Sequence, residues 1–150
     1  QYLAWHSPVF CSLFYQKFKE NTESEIPISD VCCQEFEEVL HVIYPSEKRV
    51  TYDSFEYILN IADRFQIEKA TRIVEDFLAN NNDFRRLSTF ERLVVADRYK
   101  LNRLRIFILE YINDMHEIKE LEKRDEFKNL SDSTKAALLA QLITCIPDRK

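Results

Sequence analysis

Apolar residues recur at helical spacing along most of the chain, and the breaks between them mark out its elements. Val9, Phe10, Leu13, Phe14 and Phe18 follow Ser7-Pro8 at near-helical intervals. A serine can cap a helix, and proline suits the first helical position because its missing N–H would be unpaired there anyway. The polar stretch Lys19 to Ser24 ends this pattern. Glu25-Ile26-Pro27-Ile28 predicts a short strand, which Pro27 would confine to an edge or a bulge. Asp30 is the expected cap of the next helix, with Phe36, Val39, Leu40 and Ile43 on one face. That helix should stop near Tyr44-Pro45, since the residue before a proline is steered out of the helical region. Arg49-Val50-Thr51 predicts a second, very short strand.

From Asp53 onward the pattern is helical almost without relief. Asp53 with Glu56, and Ser88 with Glu91, have the spacing of capping boxes, and they head two segments that resemble each other. Ile61-Ala62-Asp63-Arg64-Phe65-Gln66-Ile67 matches Val95-Ala96-Asp97-Arg98-Tyr99-Lys100-Leu101, 34 residues later. Ile73, Val74, Phe77 and Leu78 correspond to Phe107, Ile108, Tyr111 and Ile112 at the same offset. Each copy predicts a helix, a turn without glycine and a second amphipathic helix. That period is shared with the tetratricopeptide repeat, but only two copies exist, that repeat's glycine is absent, and residues 1–50 do not follow it. The aspartates of Asp63-Arg64 and Asp97-Arg98 recur at the inter-helix turn, where they can satisfy backbone donors or pair with an arginine. Glu117 to Lys128 is dense in mixed charge, as an exposed helix or connector would be. Ala136, Leu139, Ala140, Leu142 and Ile143 predict a last helix, ended by Pro147.

Composition narrows what such a chain can do. With 150 residues, 45% of them hydrophobic, it can build one packed core with an extension. A formal charge of -5 argues against a nucleic-acid partner, which calls for a basic face that releases counterions from phosphate. There is no glycine, so the phosphate-cradling loops of nucleotide enzymes cannot be built in their usual way, and sheets with tight hairpins should be small. Cys11, Cys32, Cys33 and Cys145 form neither a disulfide framework nor paired zinc knuckles. Reduced thiols, and with them an intracellular place in cytoplasm or nucleus, are expected. No apolar run approaches the ~20 residues of a membrane span, and the first ten residues lack a signal-peptide pattern, so no membrane partner is expected. His6, Ser7 and Asp30 are the residue types of a hydrolytic trio, yet Ser7 has a role as a cap and no glycine-bearing elbow presents it. Cys33 and His41 would sit two turns apart on one helix, too far for a shared ion. The expectation is a non-enzyme without metal, cofactor or small-molecule substrate.

Several ordered segments carry a resemblance. Leu3-Ala4-Trp5-His6-Ser7-Pro8-Val9-Phe10 resembles the L-A-x-x-S-x-V-F signature of BTB/POZ domains. Phe14 through Phe18-Lys19-Glu20 resembles the family's F…F-x-E segment, and Glu25-Ile26-Pro27-Ile28-Ser29-Asp30-Val31 its E-I-x-I-x-D-V strand and turn. Phe36, Leu40 and Ile43-Tyr44 resemble F-x-x-x-L-x-x-I-Y, and Leu59-Asn60-Ile61-Ala62-Asp63-Arg64-Phe65 resembles L-x-x-A-D-x-F. Ser88 to Ile112 is similar to the helix pair, of the three-box or BACK kind, that follows BTB domains in MATH-BTB proteins and ubiquitin-ligase adaptors. The resemblance implies an α/β, predominantly α fold: a BTB/POZ helical cluster with a small residual sheet, plus a C-terminal helical extension. The domain would occupy residues 1–82 and the extension 83–150.

The resemblance also implies a protein-interaction module. In the family's adaptor branch the partner is the cullin-three scaffold, bound through a hydrophobic-x-Glu motif that Phe18-Lys19-Glu20 fits. Phe18 would fill an apolar cullin pocket, Glu20 would fix the loop, and Tyr44 would lie on the same face; the alternative is that Phe18 is simply core. The resemblance implies a domain whose leading strands and part of whose dimer surface would have no counterpart in these 150 residues. Leu3, Trp5 and Phe10 are therefore expected to be exposed and open to self-association, as a homodimer or a BTB heterodimer. Two readings follow: a substrate adaptor of a cullin-three-type ubiquitin ligase, or an oligomerisation module of a transcriptional or scaffold protein without a ligase role.

Overall fold

The computed structural model of the chain describes residues 1–17, 27–46, 48–81, 83, 85–112 and 123–145. Contacts divide the chain into two compact units, Gln1–Phe77 and Leu78–Lys150.

In the first unit, Ser7 separates α1 (Tyr2–His6) from α2 (Pro8–Lys17). It has the extended backbone that a cap needs, and its buried Oγ accepts the Phe10 N–H at 3.0 Å. The same hydroxyl donates to the carbonyl of Phe65, the last residue of α4 (Phe55–Phe65). One side chain thus starts α2 and satisfies an orphan carbonyl at the end of α4. Phe10 lies one turn on, with its ring centroid 4.8 Å from Phe65, 5.8 Å from Phe36 and 5.7 Å from Phe14. This aromatic cluster anchors the unit's core. α3 (Cys33–Ile43) buries Val39 and Ile43, keeps Phe36 and Leu40 half-buried, and stops one residue before Tyr44-Pro45 as the proline dictates.

Two helices begin later than the sequence pattern predicts. Asp30 does not cap α3; it adopts a left-handed φ of 56°, and Cys32 stands at the cap without a side-chain capping bond. The guanidinium of Arg64 explains this, since it donates to the Ser29 and Asp30 carbonyls at 3.1 and 2.9 Å and holds that turn outside the helix. α4 likewise starts after Ser54 and not on an Asp53–Glu56 box. Ser54 Oγ accepts the Thr51 N–H at 2.9 Å, and the resulting turn carries the chain one residue further before the helix opens.

That contact also bears on the expected small residual sheet, which is not found: among the described residues there is no strand. Thr51 gives its N–H to Ser54 and so cannot offer it to a neighbouring strand, and Val50 is buried among the apolar core residues. Of Glu25–Ile28, Glu25 and Ile26 lie outside the described residues, while Pro27, which has no N–H to pair, and Ile28 are exposed. The fold is predominantly helical.

α4 turns into α5 (Glu68–Asn80) without glycine. Gln66 takes the left-handed region at φ 53°, Ile67 N–H bonds the Ala62 carbonyl at 2.8 Å, and Gln66 N–H bonds Asp63 at 3.2 Å. These are the paired bonds of a Schellman ending. The second unit repeats them between α6 (Thr89–Arg98) and α7 (Asn102–Tyr111), with Lys100 at φ 56°, Leu101 N–H on Ala96 at 2.8 Å and Lys100 N–H on Asp97 at 3.3 Å. The 34-residue repeat is therefore a repeat of turn geometry.

In the second unit, Ser88 and Glu91 make the predicted capping box: Glu91 accepts the Ser88 N–H at 2.8 Å and Ser88 Oγ accepts the Glu91 N–H at 3.3 Å. A 3₁₀ turn (Asp125–Asn129) leads to α8 (Asp132–Cys145). Asp97 holds the start of α8, accepting the Ser131 N–H at 2.8 Å and the Ser131 and Thr134 hydroxyls at 2.5 Å. Burial would raise the Asp97 pKa, but these bonds outweigh it and hold the carboxyl below its ordinary value. This clamp, joined by Arg105 bonds to Ser133 and Thr134 at 3.1 and 3.4 Å, fixes the rotation of α8 with Thr134 and Leu138 inward. Leu139 and Ile143, two of the apolar residues that predict this helix, are exposed. Pro147 lies outside the described residues.

Candidate partner-docking site

Of the expected docking residues, Phe18 and Glu20 lie outside the described residues, and Tyr44 is described. Tyr44 follows α3 directly, with an extended backbone set by Pro45, so the last carbonyls of α3 need partners from elsewhere. The Ile43 carbonyl finds two: Lys69 Nζ at 2.7 Å and Tyr2 Oη at 3.0 Å. Lys69 also donates to Tyr2 Oη at 2.8 Å, closing a triangle of hydrogen bonds. A cation from the first turn of α5 thereby sits against the negative end of α3. The Tyr2 ring lies 4.5 Å from Tyr44 and 4.5 Å from His6, and the Lys69 ammonium sits beyond its hydroxyl, 5.5 Å from the ring centroid. Tyr44 is 41% exposed, one side braced by Tyr2 and the rest open to a partner.

Elsewhere on α3, Glu38 accepts the Tyr57 hydroxyl of α4 and faces Lys48 Nζ at 3.1 Å. Hydrogen bonds from Tyr57 and Lys48 hold the Glu38 carboxyl below its ordinary pKa. Burial, then the Glu38 contact, pushes the Tyr57 phenol up to about 12. These groups make a fixed surface and present no activated nucleophile. Ser7 Oγ is committed to Phe10 and Phe65, His6 lies edge-on to Tyr2, and Asp30 faces Arg64 at 3.8 Å, so the trio of His6, Ser7 and Asp30 is spent on structure. Among the described residues no three His, Cys, Asp or Glu side chains gather as a metal site, and no helix is long and apolar enough to cross a membrane.

The self-association set divides. Trp5 is 86% exposed and Leu3 half-buried, but Phe10 is only 1% exposed. Phe10 belongs to the aromatic core, which corrects the expectation that it lies on the surface. Its position one turn beyond the Ser7 cap turns it inward toward α4. Tyr2 and Lys69 were not legible as site residues. Lys69 gives one signal, since a lysine in the first turn of a helix sits against that helix's own dipole.

A comparison with known families now decides the identity: the BTB/POZ domain profile matches residues 1–82. The chain belongs to the BTB/POZ family. This BTB/POZ chain is 38% identical over 145 residues to BTB and MATH domain-containing protein 38 of Caenorhabditis elegans, covering 97% of the chain and 37% of that protein. It is 31% identical over 148 residues to BTB and MATH domain-containing protein 36 of the same organism, covering 99% of the chain and 45% of that protein. It is also 30% identical over 139 residues to Kelch-like ECH-associated protein 1A of Danio rerio, covering 93% of the chain and 22% of that protein. The BTB/POZ chain thus spans less than half the length of these relatives.

Proposed function

We propose that the chain is a protein-interaction adaptor whose BTB/POZ domain, residues 1–82, docks a cullin-three-type scaffold and whose residues 83–150 form the post-BTB helical extension of a ubiquitin-ligase substrate adaptor. The observation that carries this reading is the braced, half-open Tyr44 at the end of α3, in a chain whose Phe18-Lys19-Glu20 fits the adaptor motif. An aromatic held in place before its partner arrives makes a good interface anchor, because little rotamer freedom is left to lose. Phe18 fills an apolar pocket of the scaffold and Glu20 fixes the loop that presents it. A ligase adaptor of this kind works in cytoplasm or nucleus and needs no cofactor.

Calorimetry of the chain with the N-terminal domain of cullin-three tests this. Binding in the wild type and its loss in Phe18→Ala/Glu20→Ala is the expected outcome; unchanged binding in the variant removes the assigned site. A second reading, self-association without a ligase role, draws on Trp5, which stands exposed beside the half-buried Leu3. It predicts a dimer by light scattering that Trp5→Ala dissolves, with no affinity for cullin-three.

A further inference from the structure

The docking reading leaves unexplained why a lysine and a tyrosine from two other helices converge on the residue before Tyr44. We infer that Lys69 and Tyr2 are positioning residues for the Tyr44 face: Lys69 fixes the Ile43 carbonyl and the Tyr2 hydroxyl, and the Tyr2 ring then fixes the orientation of Tyr44. This rests on the reading of Tyr44 as part of the cullin-three surface.

The Tyr2 hydroxyl accepts from Lys69 at 2.8 Å and donates to Ile43 at 3.0 Å, while Lys69 reaches the same carbonyl at 2.7 Å. Each of the three groups therefore holds the other two. Two of the three bonds come from an ammonium, and such charge-assisted bonds are the stronger kind. Tyr2 carries the constraint outward, its ring tilted 38° against Tyr44 at 4.5 Å between centroids. Backbone and ring of Tyr44 are thus set by separate devices, Pro45 for the first and the Lys69–Tyr2 pair for the second. Without Nζ the phenol keeps one bond to Ile43 and loses the charge-assisted one from Lys69, so Tyr44 must be ordered at the cost of binding.

The test is a set of variants measured by calorimetry against the cullin-three N-terminal domain, with the Tyr44 ring resonances of the free protein followed by NMR. Lys69→Met keeps the aliphatic stem and removes the donors; it is expected to weaken binding on the order of tenfold and to shift the Tyr44 ring signals. Lys69→Arg, which restores donors and charge, should recover most of the affinity. Tyr2→Phe, which keeps the ring but cuts both of its hydrogen bonds, should move both readouts the same way by at least as much and covers the case in which Lys69→Met folds poorly. In a Tyr44→Ala background Lys69→Met should cost nothing further, an outcome that a purely structural lysine would not give. Wild-type binding that Lys69→Met leaves unchanged overturns the inference alone, as does an undiminished loss in the Tyr44→Ala background. A folded wild type that does not bind overturns the docking reading and takes this inference with it.

Discussion

Three backbone carbonyls converge on the buried guanidinium of Arg92: Leu87 at 3.0 Å, Leu78 at 2.5 Å and Asn81 at 2.6 Å. Two of them belong to the end of α5 and the residue after it, where a helix runs out of its own donors. Arg92→Ala should destabilise the protein by about 3 kcal/mol in urea denaturation, because buried acceptors lose a charged donor. Arg92→Lys should recover little, since one ammonium cannot reproduce a planar fork. A loss under about 0.5 kcal/mol, the size of an ordinary surface change, would show that water replaces the clamp. Gln66 and Lys100 pose the opposite case. Each holds a left-handed backbone that costs a residue with a Cβ about 1–2 kcal/mol relative to glycine. Gln66→Gly and Lys100→Gly should each raise the melting temperature, with a gain of up to about 1 kcal/mol.

At the scale of elements, Ser7→Ala removes the cap of α2 and the hydroxyl that α4 relies on at its end. The expected loss is about 2 kcal/mol by chemical denaturation, the cap and the buried bond together; a loss of a few tenths would mean the Phe65 carbonyl finds another donor. How much of each element was legible follows from what sets its ends. The start of α2, the stop of α3 before Pro45 and the box that opens α6 obey rules that act within four residues, and all three are found as read. The start of α3 is set by Arg64, 34 residues from Asp30, and that of α4 by a local Thr51–Ser54 turn that prevails over the Asp53–Glu56 box, so pattern alone placed both early. The rotation of α8 could not be read from pattern because its alanines and leucines surround the helix, and Asp97, 34 residues before Ser131, chooses the inner face.

The surface around Tyr44 was legible only in part, because long-range contacts build it. Tyr44 follows from the resemblance, but Lys69 and Tyr2 meet Ile43 across 26 and 41 residues, and no local spacing announces that. For the whole molecule, Glu38, Glu91 and Asp97 are all held below their ordinary pKa values, Glu91 by its bonds from Ser88. Their stabilisation is complete at neutral pH and is lost as pH falls through and below the ordinary carboxylate range. Tyr57, raised from 10.0 to about 12, stabilises fully below pH 10 and ceases to do so as pH rises toward 12. Melting temperature should therefore decline at both ends, and Tyr57→Phe should flatten the alkaline side; an unchanged alkaline slope would show that other groups control it. Finally, a chain that makes its left-handed turns without glycine also has a restricted denatured ensemble. Every residue that glycine would have loosened samples fewer backbone states when unfolded, so less entropy is surrendered on refolding. A glycine placed at Gln66 relaxes the native turn and widens that ensemble together, so the strain at these two turns is the folded-state counterpart of a stiffer starting chain.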